Sequence, residues 1–143
     1  LERDNWRSES PIFQEEEYLS DRRWRLDFSR NSVAVEVAFN HREAIAWNLI
    51  KPVISSELNH VRKAVQTSIG IIITATEELR QIGGFDGAVG TYETHLTYLK
   101  PLRNILTVPM IILGLEAPES FKVSHEDFNG RKKGIIESKV SIF

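Results

Sequence analysis

Trp24-Arg25-Leu26-Asp27-Phe28-Ser29-Arg30, then Asn31-Ser32, then Val33-Ala34-Val35-Glu36-Val37-Ala38-Phe39 is the stretch that decides how this chain folds. Both arms alternate with period two, as half-buried strands do, and the two polar residues between them suit a tight turn. The stretch therefore predicts a β-hairpin running from Arg23 to Phe39. A two-residue turn sets Arg30 opposite Val33, Phe28 opposite Val35, and Asp27 opposite Glu36. Directly opposed side chains on a sheet have Cβ atoms roughly 5 Å apart, and like charges there destabilise it. A divalent cation turns that repulsion into attraction, and carboxylate pairs suit hard ions such as Mg2+. The expectation depends on register, since a one-residue slip sends the two acids to opposite faces.

On the second strand Ala34, Glu36 and Ala38 share one face, while Val33, Val35, Val37 and Phe39 share the other. The valine face reads as core. The other carries a carboxylate between two methyl groups, which leaves room for a ligand. The same register sets Arg25 opposite Ala38, beside the acids. Its guanidinium is either half of a surface ion pair worth little or a cation that meets a phosphate. An ordinary exposed sheet face also carries Asp and Glu, although Asp is disfavoured in strands. From the residues alone, a cation site and a solvated acidic face both stand.

The rest of the chain supplies helices and two apolar runs. Residues 1–20 are mixed and polar, with a short helix expected around Glu15-Glu16-Glu17-Tyr18-Leu19. Residues 40–66 read as helical in two pieces broken near Lys51-Pro52, because proline is poorly tolerated inside a helix. The second piece places Ile54, Leu58, Val61 and Val65 on one stripe. Ile69-Gly70-Ile71-Ile72-Ile73-Thr74-Ala75 and Val108-Pro109-Met110-Ile111-Ile112-Leu113-Gly114 are continuous apolar runs, as expected of strands covered on both faces. Between them lie a glycine-rich loop, Gly83 to Gly90, and a helix capped by Thr91 and stopped near Pro101. The tail predicts another hairpin, Phe121 to Val140, turning at Asn129-Gly130. Apolar strands separated by helices imply crossovers, hence an α/β fold with a central mixed sheet and helices on both faces.

At 143 residues the chain suits one domain over residues 1–143. It contains no cysteine, which excludes disulfides and thiolate metal sites and fits a reducing cytoplasm. No apolar run is long enough for a membrane span. The polar start, Leu1-Glu2-Arg3-Asp4, shows no signal peptide and no initiating Met, as expected of a segment from within a longer polypeptide or a trimmed one. The net charge of −2 gives no overall bias toward nucleic acid, although Arg22, Arg23, Arg25 and Arg30, and separately Arg131-Lys132-Lys133, form local basic clusters. Solvated surface charge is the plainer account of both clusters. His41, His60, His95 and His125 show no ligand spacing and read as surface or capping residues. There is no G-x-S-x-G elbow, and the loop at Gly83 lacks the Gly-Lys-Ser/Thr ending of a P-loop. Trp6, Trp24 and Trp47 read as core or interface residues.

Asp27, eight residues, then Glu36-Val37-Ala38-Phe39, followed by strands and helices in this order, resembles the PD-(D/E)XK restriction-endonuclease-like core. Within that superfamily the chain is most similar to type II restriction endonucleases of the BglII/BstYI group, which carry Asp, eight residues, then Glu-Val-Gln-Phe. The similarity runs on through Gly70-Ile71-Ile72-Ile73-Thr74, Tyr92-Glu93 and Val108 to Leu115, roughly Trp6 to Ala117 in all. It implies hydrolysis of phosphodiester bonds in double-stranded DNA at a short palindromic site. Mg2+, for which Mn2+ can substitute, would be held by Asp27, Glu36 and the main-chain carbonyl of Val37. It also implies a homodimer, and a helical region ahead of Leu1 that this sequence lacks.

The departure from that family is Ala38, where its members have Lys, Glu or Gln to position water or assist the metal. A methyl group does neither. Either the position is a disabling substitution, or Arg25 or another residue compensates, or the domain binds DNA without cutting it. An upstream acid, Glu15, Glu16 or Glu17, is a further candidate for the site. Lys51, Ser55, Asn40, Arg42 and the loop at Gly83 are the candidates for contacting DNA. Outside nucleic acids, the remaining reading is an interaction domain whose acidic hairpin is simply solvated.

Overall fold

The computed structural model describes residues 4–57 and 60–138. Five strands form one mixed sheet in sequential order: β1 (Arg7–Pro11), β2 (Arg25–Arg30), β3 (Val33–Val37), β4 (Ile69–Ala75) and β5 (Met110–Leu115). The first three are antiparallel neighbours, and β3, β4 and β5 are parallel. Parallel neighbours need crossovers. Those are made by α2 (Ile45–Ser56) between β3 and β4, and by α4 (Tyr92–Leu102) between β4 and β5. A short α1 (Glu16–Leu19) precedes β2, and α3 (Glu77–Ile82) follows β4. Neither β1 nor α3 was legible in the sequence; β1, Arg-Ser-Glu-Ser-Pro, has no apolar alternation to reveal it.

The hairpin register is the expected one near the turn, where Arg30 pairs with Val33, Ser29 with Ala34 and Phe28 with Val35, but the expected pairs of Asp27 with Glu36 and Arg25 with Ala38 are not formed. Asn31 adopts φ 50°, which suits a turn and which Asn tolerates better than most residues. A second hairpin, β6 (Phe121–Phe128) with β7 (Arg131–Ser138), forms its own two-stranded sheet. It turns at Asn129 (φ 52°) and Gly130 (φ 75°), where both central residues need positive φ. The end of the expected tail hairpin, residues 139–140, lies outside the described residues.

Helix α2 corrects the expected break at Pro52. It runs unbroken through Pro52, although an interior proline costs about 3 kcal/mol. Close packing offsets that cost: Pro52 is buried against β4, where a Cβ added to Gly70 would lie 2.8 Å from Pro52 Cβ and 2.5 Å from Met110 Sδ. Only glycine lets helix and strand approach this far. Residues 60–66 are not helical as expected. Gln14 N–H donates to Arg62 O (2.9 Å) and Ala64 N–H to Ile12 O (2.9 Å). Val61 and Val65 still reach the core, packing with Ile54 on the Ile12, Phe13, Leu26 and Ala34 cluster; Leu58 lies outside the described residues.

Which face of the sheet is core also differs from expectation. Ala34, Glu36 and Ala38 are buried, while on the expected core face Val35 is buried, Val33 and Phe39 are half-buried and Val37 is exposed. Two small alanines let α2 settle onto the Glu36 face, so that face is covered too. Ala38 lies in a cluster with Ile45, Leu49 and Ile72, supported by Tyr98, Leu99 and Met110. Helix α4 packs on the same side: a Cβ at Gly114 would meet Tyr92 at 2.9 Å. Strand β5 is therefore an edge strand with one open face, along which Ile111, Leu113 and Leu115 are exposed, not the strand buried on both faces that its apolar run implied.

Candidate metal and phosphodiester site

The site begins where the β2–β3 ladder ends. Pairing stops at Phe28 and Val35. In a continued ladder the Val37 N–H would face Leu26; here it donates to Asp27 Oδ2 at 2.6 Å. The two strands splay, and the Asp27 carboxylate fills the gap between them. Its own strand is held from both sides. On the outer edge β1 pairs through Ser8 with Phe28 and through Ser10 with Leu26. Before it, a 3₁₀ turn (Arg22–Trp24) is capped by Asp21, which accepts the Arg23 N–H at 2.9 Å. Trp24 closes that turn onto an aromatic cluster, with ring centroids 5.2 Å from Trp47, 5.3 Å from Tyr18 and 5.6 Å from Phe13. Trp47 ties the start of β2 to α2. Trp6 is half-buried and lines a groove of about 590 Å3 with Arg7, Arg30 and Asn31, at the turn end of the hairpin and away from the acids.

Glu36 sits in the covered face, 2% exposed. Its Oε2 forms an ion pair with Lys51 Nζ, which also donates to the Arg25 carbonyl at 3.1 Å. Its Oε1 is buried with no hydrogen-bond partner. Burial pushes the Glu36 carboxyl up to about 8; the Lys51 ammonium pulls against this, and the nearby Asp27 charge adds to it. A buried carboxylate with one bare oxygen beside a second carboxylate is costly unless a cation completes it.

The residues present fit a hard divalent ion. Asp27 and Glu36 supply oxygen from adjoining strands, Glu36 Oε1 lacks a partner, and Mg2+ is commonly held by one or two carboxylates with water filling the remaining positions. Among the described residues no third Asp, Glu or His joins them. Glu15 is engaged elsewhere, its Oε1 accepting the Arg62 N–H at 2.9 Å, and Glu16 and Glu17 are exposed.

Several expected site residues take other places. Arg25 donates through Nη2 to Leu19 O at 2.8 Å, and the ion pair with Glu36 is made instead by Lys51. Lys51 and Ser55, expected at a DNA surface, are buried: Ser55 is 0% exposed and donates to Pro52 O at 2.9 Å. Asn40 and Arg42 are exposed and tied to the glycine-rich loop, since Arg42 Nη2 donates to Gly87 O at 2.8 Å and Gly90 N–H to Asn40 O at 3.0 Å. The Thr74 hydroxyl fixes that loop to the end of β3, donating between the carbonyls of Ala38 (2.9 Å) and Gly90 (3.0 Å). Asn40, Arg42 and the loop thus lie at the same end of the sheet as Glu36. His95 is fully buried rather than at the surface, with Nδ1 donating to Thr91 O at 2.8 Å.

Lys51 is the functional candidate whose place the sequence reading missed. A signal was present, in that Ile50-Lys51-Pro52-Val53-Ile54 carries one charge inside an apolar helical run. A buried lysine on such a face needs a carboxylate partner.

A mixed sheet with helices packed against it, whose antiparallel hairpin presents an acid from each strand, is the restriction-endonuclease-like core of the PD-(D/E)XK type. The structure superimposes on that of restriction endonuclease BglII complexed with a DNA 16-mer, with a TM-score of 0.65 and 18% identity. The match covers 95% of this chain and 63% of the BglII chain, so this chain spans under two-thirds of that relative. The sequence model of the restriction endonuclease BglII/BglIII family matches residues 1–115, and the chain belongs to that family. No curated protein matches it. Among the described residues no helix is long and apolar enough to cross a membrane.

Proposed function

We propose that this domain is a Mg2+-dependent endonuclease that hydrolyses double-stranded DNA at a short palindromic site. Mn2+ would substitute, and the domain would act as a homodimer in the cytoplasm. The observation that carries this reading is the convergence of Asp27 and Glu36 where the hairpin splays, with Glu36 Oε1 buried and bare, in a chain of a restriction endonuclease family. The DNA bound in the BglII structure supports double-stranded DNA as the ligand, and isologous pairing of two copies suits a palindrome.

Asp27, Glu36 and the Val37 carbonyl would hold the ion. When bound, it would supply a nucleophile from coordinated water and stabilise charge on the phosphate. The chain's own residues do the rest. The Val37 N–H fixes the Asp27 carboxylate, the Lys51 ion pair fixes one oxygen of Glu36 and leaves the other free, and the cover of α2 limits water around Glu36. Asn40, Arg42 and the loop at Gly83–Gly90 form the surface at the same end of the sheet, where the duplex would lie.

The test is cleavage of supercoiled plasmid in Mg2+, with Asp27→Asn and Glu36→Gln beside the wild type. Loss of cutting in both variants is the expected result; undiminished cutting in either removes that residue from the site.

One observation favours a second reading, DNA binding without turnover. Ala38 is 1% exposed within the Ile45, Leu49 and Ile72 cluster, so its side chain contributes only packing. Retention of a duplex at low salt with no cutting in either Mg2+ or Mn2+ would select that reading.

A further inference from the structure

We infer that Lys51, on helix α2, is a positioning residue of this site, orienting the Glu36 carboxylate from outside the strand on which Ala38 offers only a methyl group. The inference rests on the nuclease reading above. Its starting point is the conflict between two neighbours on one face of the sheet: Glu36 points its carboxylate under α2, while Ala38 gives only a methyl group to an apolar cluster. A lysine arrives there from a different element. Lys51 is 7% exposed, its Nζ pairs with Glu36 Oε2, and a second hydrogen bond to Arg25 O (3.1 Å) fixes it from the β2 side. The ammonium of Lys51 is thus held beside Glu36 by a carbonyl of β2, without coming from position 38 itself.

The helix explains why the charge stays there. Pro52 and Gly70 bring α2 unusually close to β4, and Trp47 one turn earlier packs edge-on against Trp24. Lys51 therefore sits between two anchored contacts, and its long side chain is stretched along a covered face instead of reaching solvent. Buried ion pairs contribute little to stability compared with apolar packing of the same volume. A purely structural lysine here would be a poor use of the position. A lysine that fixes one oxygen of Glu36 while leaving Oε1 bare does something an apolar residue cannot: it sets the carboxylate to bind an ion through a single oxygen.

Lys51→Met keeps most of the side-chain volume and removes the charge; Lys51→Arg keeps the charge. Mn2+ affinity, read by water-proton relaxation without DNA, and single-turnover cutting with separate duplex affinity in Ca2+ are the readouts. With Glu36 no longer fixed, Lys51→Met should bind Mn2+ about tenfold more weakly and cut about a hundredfold more slowly. Its melting temperature should fall, because one partner of a buried ion pair is left alone, while duplex affinity, measured below that melting transition, stays near wild type. Lys51→Arg should recover at least about a tenth of the lost rate. Tighter Mn2+ binding in Lys51→Met would show that the lysine only competes with the ion, and would overturn the inference. So would wild-type cutting by Lys51→Met, or a loss of duplex binding as large as the loss of rate. Failure of the wild type itself to bind Mn2+ or cut DNA is a separate outcome: it overturns the nuclease reading and this inference with it.

Discussion

Val37 donates its backbone N–H to the Asp27 carboxylate at 2.6 Å, across the point where the β2–β3 ladder stops. One side chain thus replaces a backbone acceptor, and the same substitution of partners opens the gap that places Asp27 beside Glu36. The two acids are not a defect that the sheet tolerates. They are held by it.

Replacing Asp27 therefore separates fold from chemistry. Asp27→Asn keeps an oxygen for the Val37 N–H and should cost less than about 1 kcal/mol, whereas Asp27→Ala leaves that donor unmatched and should cost about 1–3 kcal/mol. Both should lose metal-dependent cutting by at least about a hundredfold. Urea melts beside cleavage assays check this; equal stability of the two variants would mean that the hydrogen bond does not hold the strands.

The pH dependence of stability should carry the signature of Glu36. Its carboxyl is raised from 4.5 to about 8. Between those values the folded protein holds a proton that the unfolded chain has released, so metal-free stability falls as pH rises through that window. His95 has the opposite sense. Burial lowers its pKa from 6.5, so its contribution is present above 6.5 and is lost as pH falls. Glu36→Gln should flatten the decline toward pH 8 and leave the acid-side loss intact, as followed by thermal melts in EDTA. Identical profiles for wild type and Glu36→Gln would contradict the assignment.

Ala38→Gln restores the residue type that the resembled enzymes carry, yet it should not accelerate cutting. Position 38 is enclosed by Ile45, Leu49 and Ile72, so the longer side chain overpacks the cluster at about 1–3 kcal/mol. A large gain in rate, measured in Mg2+ and Mn2+, would show that the site is disabled at Ala38.

Thr74→Val tests the support beneath the Gly83–Gly90 loop. It keeps the shape but leaves the carbonyls of Ala38 and Gly90 without their shared donor, a loss of about 1–3 kcal/mol. Hydrogen exchange at Gly83–Gly90 should rise with it. Unchanged exchange would detach the loop from Thr74.

The hairpin was legible because alternation and a two-residue turn fix register locally, but the register ends at Phe28 and Val35, and the Val37 hydrogen bond to Asp27 beyond it was not legible. The apolar run at Ile69–Ala75 and the cap at Thr91 were legible for the same reason, being short-range signals. That the Glu36 face of β3 is covered as well was not, since that depends on where α2 lands. Valine outranks alanine as a core residue, but the small Ala34 and Ala38 are what admit a helix. The persistence of α2 through Pro52 depends on Gly70, eighteen residues on, and no local pattern reports it. Lys51 was assigned to the DNA surface for the same reason: its partner, Glu36, comes from another element.

The most direct test is cutting of supercoiled plasmid in Mg2+ by the wild type and by Glu36→Gln, with EDTA as the control. Discrete linear and fragment products from the wild type, none in EDTA and none from Glu36→Gln, are the predicted result. Equal cutting by Glu36→Gln, or no cutting by the wild type in either Mg2+ or Mn2+, would contradict it.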